Sequence, residues 1–251
     1  MIRCNHEHRV EEIRKLWEEG NGNRKVSKLL NIPRTTLKYL CDKYNLKPHK
    51  VKSNRVKLTT FQKQMLIGMI LGDAYISNRG NSSYINFAHC LEQKDYLLHK
   101  VKKLEPIKSS YLKEVQNTDK RSGKIYEKIT YTSLSYKELK DLRNIFYKGK
   151  VKGLPIEYLK QNFTAISLAY MYMDDGNYSK YTTTIATCSF KKDELEDFCI
   201  ILKDKFNIIA TVQGNNSIRI KQESIDLFFQ IISPYIKEIS CMSYKVLNKF
   251  R

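Results

Sequence analysis

Acidic residues are scarce in this chain: 26 Asp+Glu stand against 45 Lys+Arg in 251 residues, a formal charge of +19. Glycine and proline are few as well, 10 and 5, while 41% of residues are hydrophobic. That excludes collagen-like and disordered chains and leaves a globular one able to bury a core. Long apolar runs are missing, since stretches such as Leu66 to Leu71 fall far short of the ~20 residues that cross a bilayer. No membrane partner is expected. The opening MIRCNHEHRVEE carries charge where a signal peptide needs its apolar stretch, which predicts a cytoplasmic chain (nucleoid or phage-infected cell) or one in an organellar matrix. Among the six cysteines there is no CxxC pair and no histidine at finger spacing, which argues against a structural zinc site or a disulfide framework. What is abundant is positive charge on a folded body, and nucleic acid is the commonest polyanion that such a body attracts. Composition alone would equally suit a ribosomal protein.

The basic excess is uneven. Residues 1–57 hold 15 Lys+Arg against 6 Asp+Glu, nearly half of the whole surplus. In this part Val10, Ile13, Leu16 and Trp17 recur at helical spacing, and Gly20 and Gly22 end the segment. Val26, Leu29 and Leu30 mark a second short helix, Asn31-Ile32-Pro33 a turn, and Thr36, Leu37, Leu40 and Tyr44 a third helix. The pattern resembles a helix-turn-helix over 1–46, whose residues just after the turn enter the major groove. Arg34, Thr35, Thr36, Lys38 and Tyr39 are then the expected DNA contacts. From Asp42 to Asp73 no acid occurs, and KPHKVKSNRVK has no apolar period. Residues 47–60 therefore read as a basic linker whose Lys50, Lys52 and Arg55 can follow a phosphate backbone.

From residue 61 the chain is written twice. FQKQMLIGMILGDAYIS, YINFAHCLEQKDYLLHKVKKL and YTSLSYKELKDLRNIFY are followed by FTAISLAYMYMDDGNYS, TIATCSFKKDELEDFCIILKDKF and SIRIKQESIDLFFQIISPY. In each copy an apolar helix ends in a carboxylate, β-rich segments follow, and amphipathic helices pack back. The expectation is a first repeat over 61–150 and a second over 151–251, forming a pseudo-twofold α+β body.

The segments LIGMILGDA (66–74) and LAYMYMDDG (168–176) resemble the signature of the LAGLIDADG homing endonucleases, and the flanking GDAYI, KGLP and SYK resemble the single-chain, two-repeat type. The resemblance implies an αββαββα fold repeated twice, a monomer needing no protein partner, and double-stranded DNA as substrate. It also puts the metal-binding acid at the motif's eighth position, Asp73 and Asp175, and basic catalytic residues beside them, matched here by Lys152 and Lys245. The physics of the motif agrees. Gly68 and Gly72 lie four apart on one helix face and permit close approach of a partner helix, with Ala169 supplying part of the contact on the other side. Two carboxylates brought together repel unless a cation lies between them. Oxygen ligands select a hard divalent ion, Mg²⁺ in the first place with Mn²⁺ able to substitute, and the carbonyls of Gly72 and Asp174 can join the shell. Position three is Gly68 against Tyr170, and position seven Gly72 against Asp174. The two halves are therefore expected to be unequal.

The strands after each motif are the expected DNA surface, since alternate side chains of a strand pair can face base edges. In the first repeat these are Tyr75, Ser77, Asn78, Arg79, Tyr84, Asn86 and His89, with Lys120, Arg121 and Lys124 on a hairpin. In the second they are Asn177, Tyr178, Lys180, Tyr181, Thr183, Arg219 and Lys221. The expected activity is a metal-dependent, staggered double-strand break at a long site, leaving 5′ phosphate and 3′ hydroxyl. The resemblance adds four-base 3′ overhangs and a role in copying an intron or free-standing gene. A cleavage-inactive transcription regulator and an RNA maturase are the alternatives.

Overall fold

The computed structural model describes residues 7–19, 21–46, 55–118, 121, 123–179, 182–246 and 250. Lys50, Lys52, Lys120, Lys180 and Tyr181, all expected at DNA, lie outside the described residues. The chain divides into two compact units, Met1–Ser53 and Asn54–Arg251.

The smaller unit holds three helices, α1 (Val10–Glu18), α2 (Asn23–Leu29) and α3 (Arg34–Lys43). Ile13, Trp17, Val26, Leu30, Ile32, Leu37 and Leu40 form its core. The turn between α2 and α3 is tight because Asn31 takes a left-handed conformation, φ 50°, which asparagine tolerates better than most residues. Ser27 Oγ donates to the Ile32 carbonyl at 2.6 Å and closes the corner. Leu29 and Tyr44, expected on the buried faces of their helices, are exposed instead. Val26 and Leu30, one turn apart, already define the inner face of α2, and Leu29 falls beside it.

The larger unit begins earlier than a linker running to residue 60 would allow. Val56 and Leu58 are buried in its core, and Thr59 with Gln62 forms a reciprocal capping box at the start of the next helix. Its elements follow in order: α4 (Thr60–Leu71), β1 (Tyr75–Arg79), β2 (Ser82–Cys90), α5 (Lys94–Lys103), β3 (Ser109–Thr118), β4 (Ile125–Ser133) and α6 (Lys137–Phe146). A connection of β5 (Tyr147–Lys148), β6 (Val151–Lys152) and α7 (Ile156–Asn162) leads to α8 (Ala165–Asp175). Then come β7 (Gly176–Ser179), β8 (Thr182–Ile185), α9 (Lys192–Phe206), β9 (Ala210–Val212), β10 (Ile218–Ile220) and α10 (Ile225–Ile236). The sequence αββαββα is thus traversed twice. The strand orders, β1-β2-β4-β3 and β7-β8-β10-β9, are the same topology, and every pairing between these strands is antiparallel.

Helices α4 and α8 pack on each other between the repeats. Both are buried almost all round, from Met65 to Leu71 and from Ser167 to Met173, as expected of helices apolar on every side. Their close approach rests on Gly68, where a Cβ would collide with the Ser167 carbonyl oxygen and lie 2.9 Å from the Tyr170 Cβ. Ser167 Oγ reaches across to the Gln64 carbonyl at 2.8 Å. Ala169 is buried, but Ser167 and Tyr170 are the residues that meet Gly68.

Candidate active site

The chemistry-bearing residues gather where α4 and α8 end. Asp73 follows the last turn of α4, and Asp175 closes α8. Burial and the neighbouring Asp174 push the Asp73 carboxyl upward, against the opposing influence of Lys100, Lys245 and Lys152. Burial first, and then the charges of Asp73 and Asp174, push Asp175 up to about 7. Among the described residues neither acid is salt-bridged to a lysine.

The two lysines expected here are near, but they point elsewhere. Lys152 Nζ donates to the carbonyls of Ile70 and Gly72 at 2.7 and 2.8 Å. Lys245 Nζ donates to those of Met173 and Asp174 at 2.6 and 3.1 Å. Each ammonium therefore sits on the carbonyl end of one paired helix, where the helix dipole favours a cation, and the two do so at equivalent places in the repeats. Burial lowers the pKa of both. The Gly72 and Asp174 carbonyls, which the sequence offers as metal ligands, are the acceptors of these lysines.

Asp174 does more than lend a carbonyl. Its side chain is fully buried and crosses the seam into the first repeat. It accepts from Lys100 Nζ at 2.5 Å, from the Tyr96 hydroxyl at 2.7 Å and from the Asp73 backbone N–H at 3.2 Å. Lys100 in turn donates to His89 Nε2 at 2.9 Å and lies 4.2 Å from the centre of the Tyr96 ring. His89 Nδ1 faces Asp73 Oδ2 at 3.7 Å. Burial and Lys100 hold the His89 pKa down at about 3. Lys100, Tyr96 and the buried part played by Asp174 escape the sequence reading, for a lysine in a chain with 45 Lys+Arg gives no signal. The one clue in the sequence is that position seven carries a second acid beside Asp175, in a helix with no other charge.

The strand faces sort the remaining expected contacts. On β1 and β2 the outer set comprises Tyr75, Ser77, Arg79, Tyr84 and Asn86, paired Tyr75 with Asn86 and Ser77 with Tyr84. The Arg79 guanidinium stacks 4.8 Å from the Tyr84 ring centre. Asn78 lies at the edge and accepts from Lys140 Nζ at 2.7 Å. Arg121 and Lys124 are exposed by the β3–β4 hairpin. On the second sheet Asn177 pairs with Thr184, and Thr184 with Arg219; Asn177, Arg219 and Lys221 are exposed. Two expected contacts are corrected. His89 and Thr183 are buried, 5% and 0% exposed, because they fall on the inward register of β2 and β8, beside Phe87 and Ile185. Tyr178 turns partly inward onto the Phe229 ring. Thr184, missed by the sequence reading, takes the outward place. In the smaller unit Arg34, Thr35, Lys38 and Tyr39 are exposed along α3, and Thr36 is half-buried. Arg55 is exposed where the larger unit begins.

A fold of two αββαββα repeats with paired, acid-tipped helices has direct counterparts. The model of the LAGLIDADG DNA endonuclease family matches residues 63–228, and the chain belongs to that family. It is 28% identical over 208 residues to a probable intron-encoded endonuclease 1 of Wickerhamomyces canadensis, covering 78% of this chain and 88% of that protein. A cytochrome b mRNA maturase bI2 of Debaryomyces hansenii is 25% identical, over 74% of this chain and 73% of the relative. Among solved structures, the homing endonuclease I-WcaI bound to its DNA recognition sequence superposes with a TM-score of 0.70 at 27% identity, covering 82% of this chain and 96% of that one. No helix among the described residues is long and apolar enough to cross a membrane.

Proposed function

We propose that this protein is a site-specific endonuclease that makes a metal-dependent, staggered double-strand break in a long DNA target. The observation that carries the reading is the pair Asp73 and Asp175, at the ends of two helices packed on each other, both with raised pKa and, among the described residues, neither in a salt bridge with a lysine, whereas Asp174 is. Unbalanced carboxylates at one place are what a hard divalent cation requires. The Asp73 and Asp175 carboxylates would hold Mg²⁺ or Mn²⁺; the Gly72 and Asp174 carbonyls already accept from Lys152 and Lys245 and would join the shell only if those ammonium groups moved aside. Such an ion, when bound, would supply water activation and charge stabilisation at the leaving 3′ oxygen, and the expected ends are 5′ phosphate and 3′ hydroxyl.

The protein's own groups supply the rest. Lys152 and Lys245 are ammonium groups of lowered pKa at the two helix ends, suited to hold a phosphate oxygen or to move a proton. The outer faces of the two sheets, with Tyr75, Arg79, Tyr84, Asn86, Asn177, Thr184 and Arg219, would lie along the duplex, and α3 of the smaller unit would read or anchor one end of the target. Residues 1–46 would thus act as an added DNA-binding module, 61–150 and 151–251 as the two half-sites of one monomer, working in the cytoplasm or an organellar matrix. The similarity to a cytochrome b mRNA maturase favours one second reading, assistance to the folding of an intron RNA.

Incubating the full chain with plasmids carrying genomic inserts and Mg²⁺ tests the proposal. Linear product is expected, and Asp73→Asn or Asp175→Asn should abolish double-strand cutting while binding persists. Tight Mg²⁺-independent binding with no linear product would sink the nuclease reading.

A further inference from the structure

Aligning the repeats on the Lys-Asp pair that opens α5 and α9, Lys94-Asp95 and Lys192-Asp193, sets His89 opposite Thr187 and Lys100 opposite Phe198. Thr187 is tied to the Asn216 carbonyl, and Phe198 packs edge-on against Phe163. At position seven the second repeat has Asp174 where the first has Gly72. The buried network of Asp174, Lys100, Tyr96 and His89 therefore lies beside Asp73, and among the described residues Asp175 has no equivalent.

Its chemistry runs in one direction. A lysine ammonium has three N–H donors and no acceptor. Lys100 gives one to the Asp174 carboxylate at 2.5 Å and one to His89 Nε2 at 2.9 Å. Accepting from an ammonium requires Nε2 to be bare, so the ring proton resides on Nδ1, the nitrogen that faces Asp73 Oδ2 at 3.7 Å; the Gln93 side chain is a second hydrogen-bonding neighbour of the ring. Oxygen and nitrogen atoms of Asp73, His89 and Asp174 lie within 4.8 Å of one another, a spacing that could hold a metal ion. The Lys100 ammonium is already hydrogen-bonded to two of the three, and the third faces a nitrogen that carries hydrogen.

We infer that His89 is a positioning residue for Asp73: Lys100, anchored by Asp174 of the other repeat, fixes the Nδ1–H tautomer, and that N–H holds one carboxylate oxygen so that the other is presented to the metal. At 3.7 Å the pair is an electrostatic contact rather than a full hydrogen bond, and the Asp73 side chain is 39% exposed. The inference rests on the reading of Asp73 as a metal-holding acid. Outer-shell partners of this kind typically change metal affinity or activity by about 10–100-fold.

Two measurements on the metal-free full chain test it without requiring DNA cleavage. In ¹⁵N-histidine NMR, with the His89 signal assigned by its loss in His89→Asn, Nε2 should resonate as a bare nitrogen and Nδ1 as N–H. The opposite tautomer, or a doubly protonated ring, overturns the inference. Mn²⁺ titration followed by EPR should then show His89→Leu binding about 10-fold or more weakly, with His89→Asn, whose amide places a donor near the Nδ1 position, recovering most of the loss. Equal affinity for wild type and His89→Leu, both folded by circular dichroism, overturns it, as does failure of Asn to rescue. If wild type shows the expected tautomer and Mn²⁺ dependence yet cuts no DNA, the nuclease reading fails and this inference stands.

Discussion

Gly72 and Asp174 occupy the same motif position in the two repeats and lie against each other across the seam. A Cβ on Gly72 would sit 2.5 Å from the Asp174 Cβ and 2.8 Å from Oδ2. One residue has no side chain because the other's carboxylate passes over it on the way to Lys100. The departure from repeat symmetry at position seven is thus a single fitted pair.

That pair is expected to behave as a buried ion pair does. Lys100→Met strands a desolvated carboxylate and should cost on the order of 3–5 kcal/mol. Lys100→Met combined with Asp174→Asn removes both charges and leaves an amide whose oxygen can accept from the Asp73 N–H and whose NH₂ can donate to the Tyr96 hydroxyl oxygen, so it should cost clearly less. Urea denaturation of the three proteins checks this, and equal losses in single and double variants would contradict it.

Gly68→Ala should destabilise the larger unit by about 1–3 kcal/mol through overpacking, since the new methyl group meets the Ser167 backbone rather than a yielding side-chain end. Thermal melting reads the change. A melting point as high as wild type would mean that α4 and α8 can separate at no cost.

Thr183 should respond in the opposite sense. Its hydroxyl is buried without a hydrogen-bond partner among the described residues, so Thr183→Val should raise stability by about 1 kcal/mol and leave DNA affinity unchanged. Arg219→Ala, on the outward face, should instead weaken DNA binding and reduce its salt slope by about one. Binding measured against salt concentration separates the two.

Asp175 gives a pH signature. Its pKa, raised to about 7 from 3.8, means that between these values the folded protein retains a proton that the unfolded chain has lost. The resulting stabilisation is complete below about pH 4 and disappears as pH rises through 7. Metal-free wild type should therefore lose more melting temperature between pH 5.5 and 8 than Asp175→Asn does, and Mg²⁺ should restore part of it at pH 8. Identical pH slopes in the two proteins would contradict the assignment.

The fold was largely legible in the sequence because its signals are local and come twice: two apolar nine-residue segments, each followed by strands and amphipathic helices. Strand faces were less legible. Parity within β2 separates Tyr84 and Asn86 from His89, and parity within β8 separates Thr182 and Thr184 from Thr183, yet a polar residue on an inward position reads as exposed until its partner is known. Those partners are remote in the chain: Lys100 and Asp174 are 74 residues apart. No periodicity joins them, and only packing α5 beside the end of α8 makes a cation and an anion neutralise each other there.

The same fitted pair has a consequence for ancestry. A duplicated chain of this kind could in principle revert to two copies of one half, as a symmetric dimer. A dimer of first halves would bury two Lys100 ammonium groups with no carboxylate at position seven, and a dimer of second halves would set two Asp174 side chains against each other with no lysine to meet them. Each half is therefore expected to need the other. Expressed separately, residues 55–150 and 151–251 should remain unassembled alone and combine only when mixed, a result that size-exclusion chromatography of the two fragments would reveal.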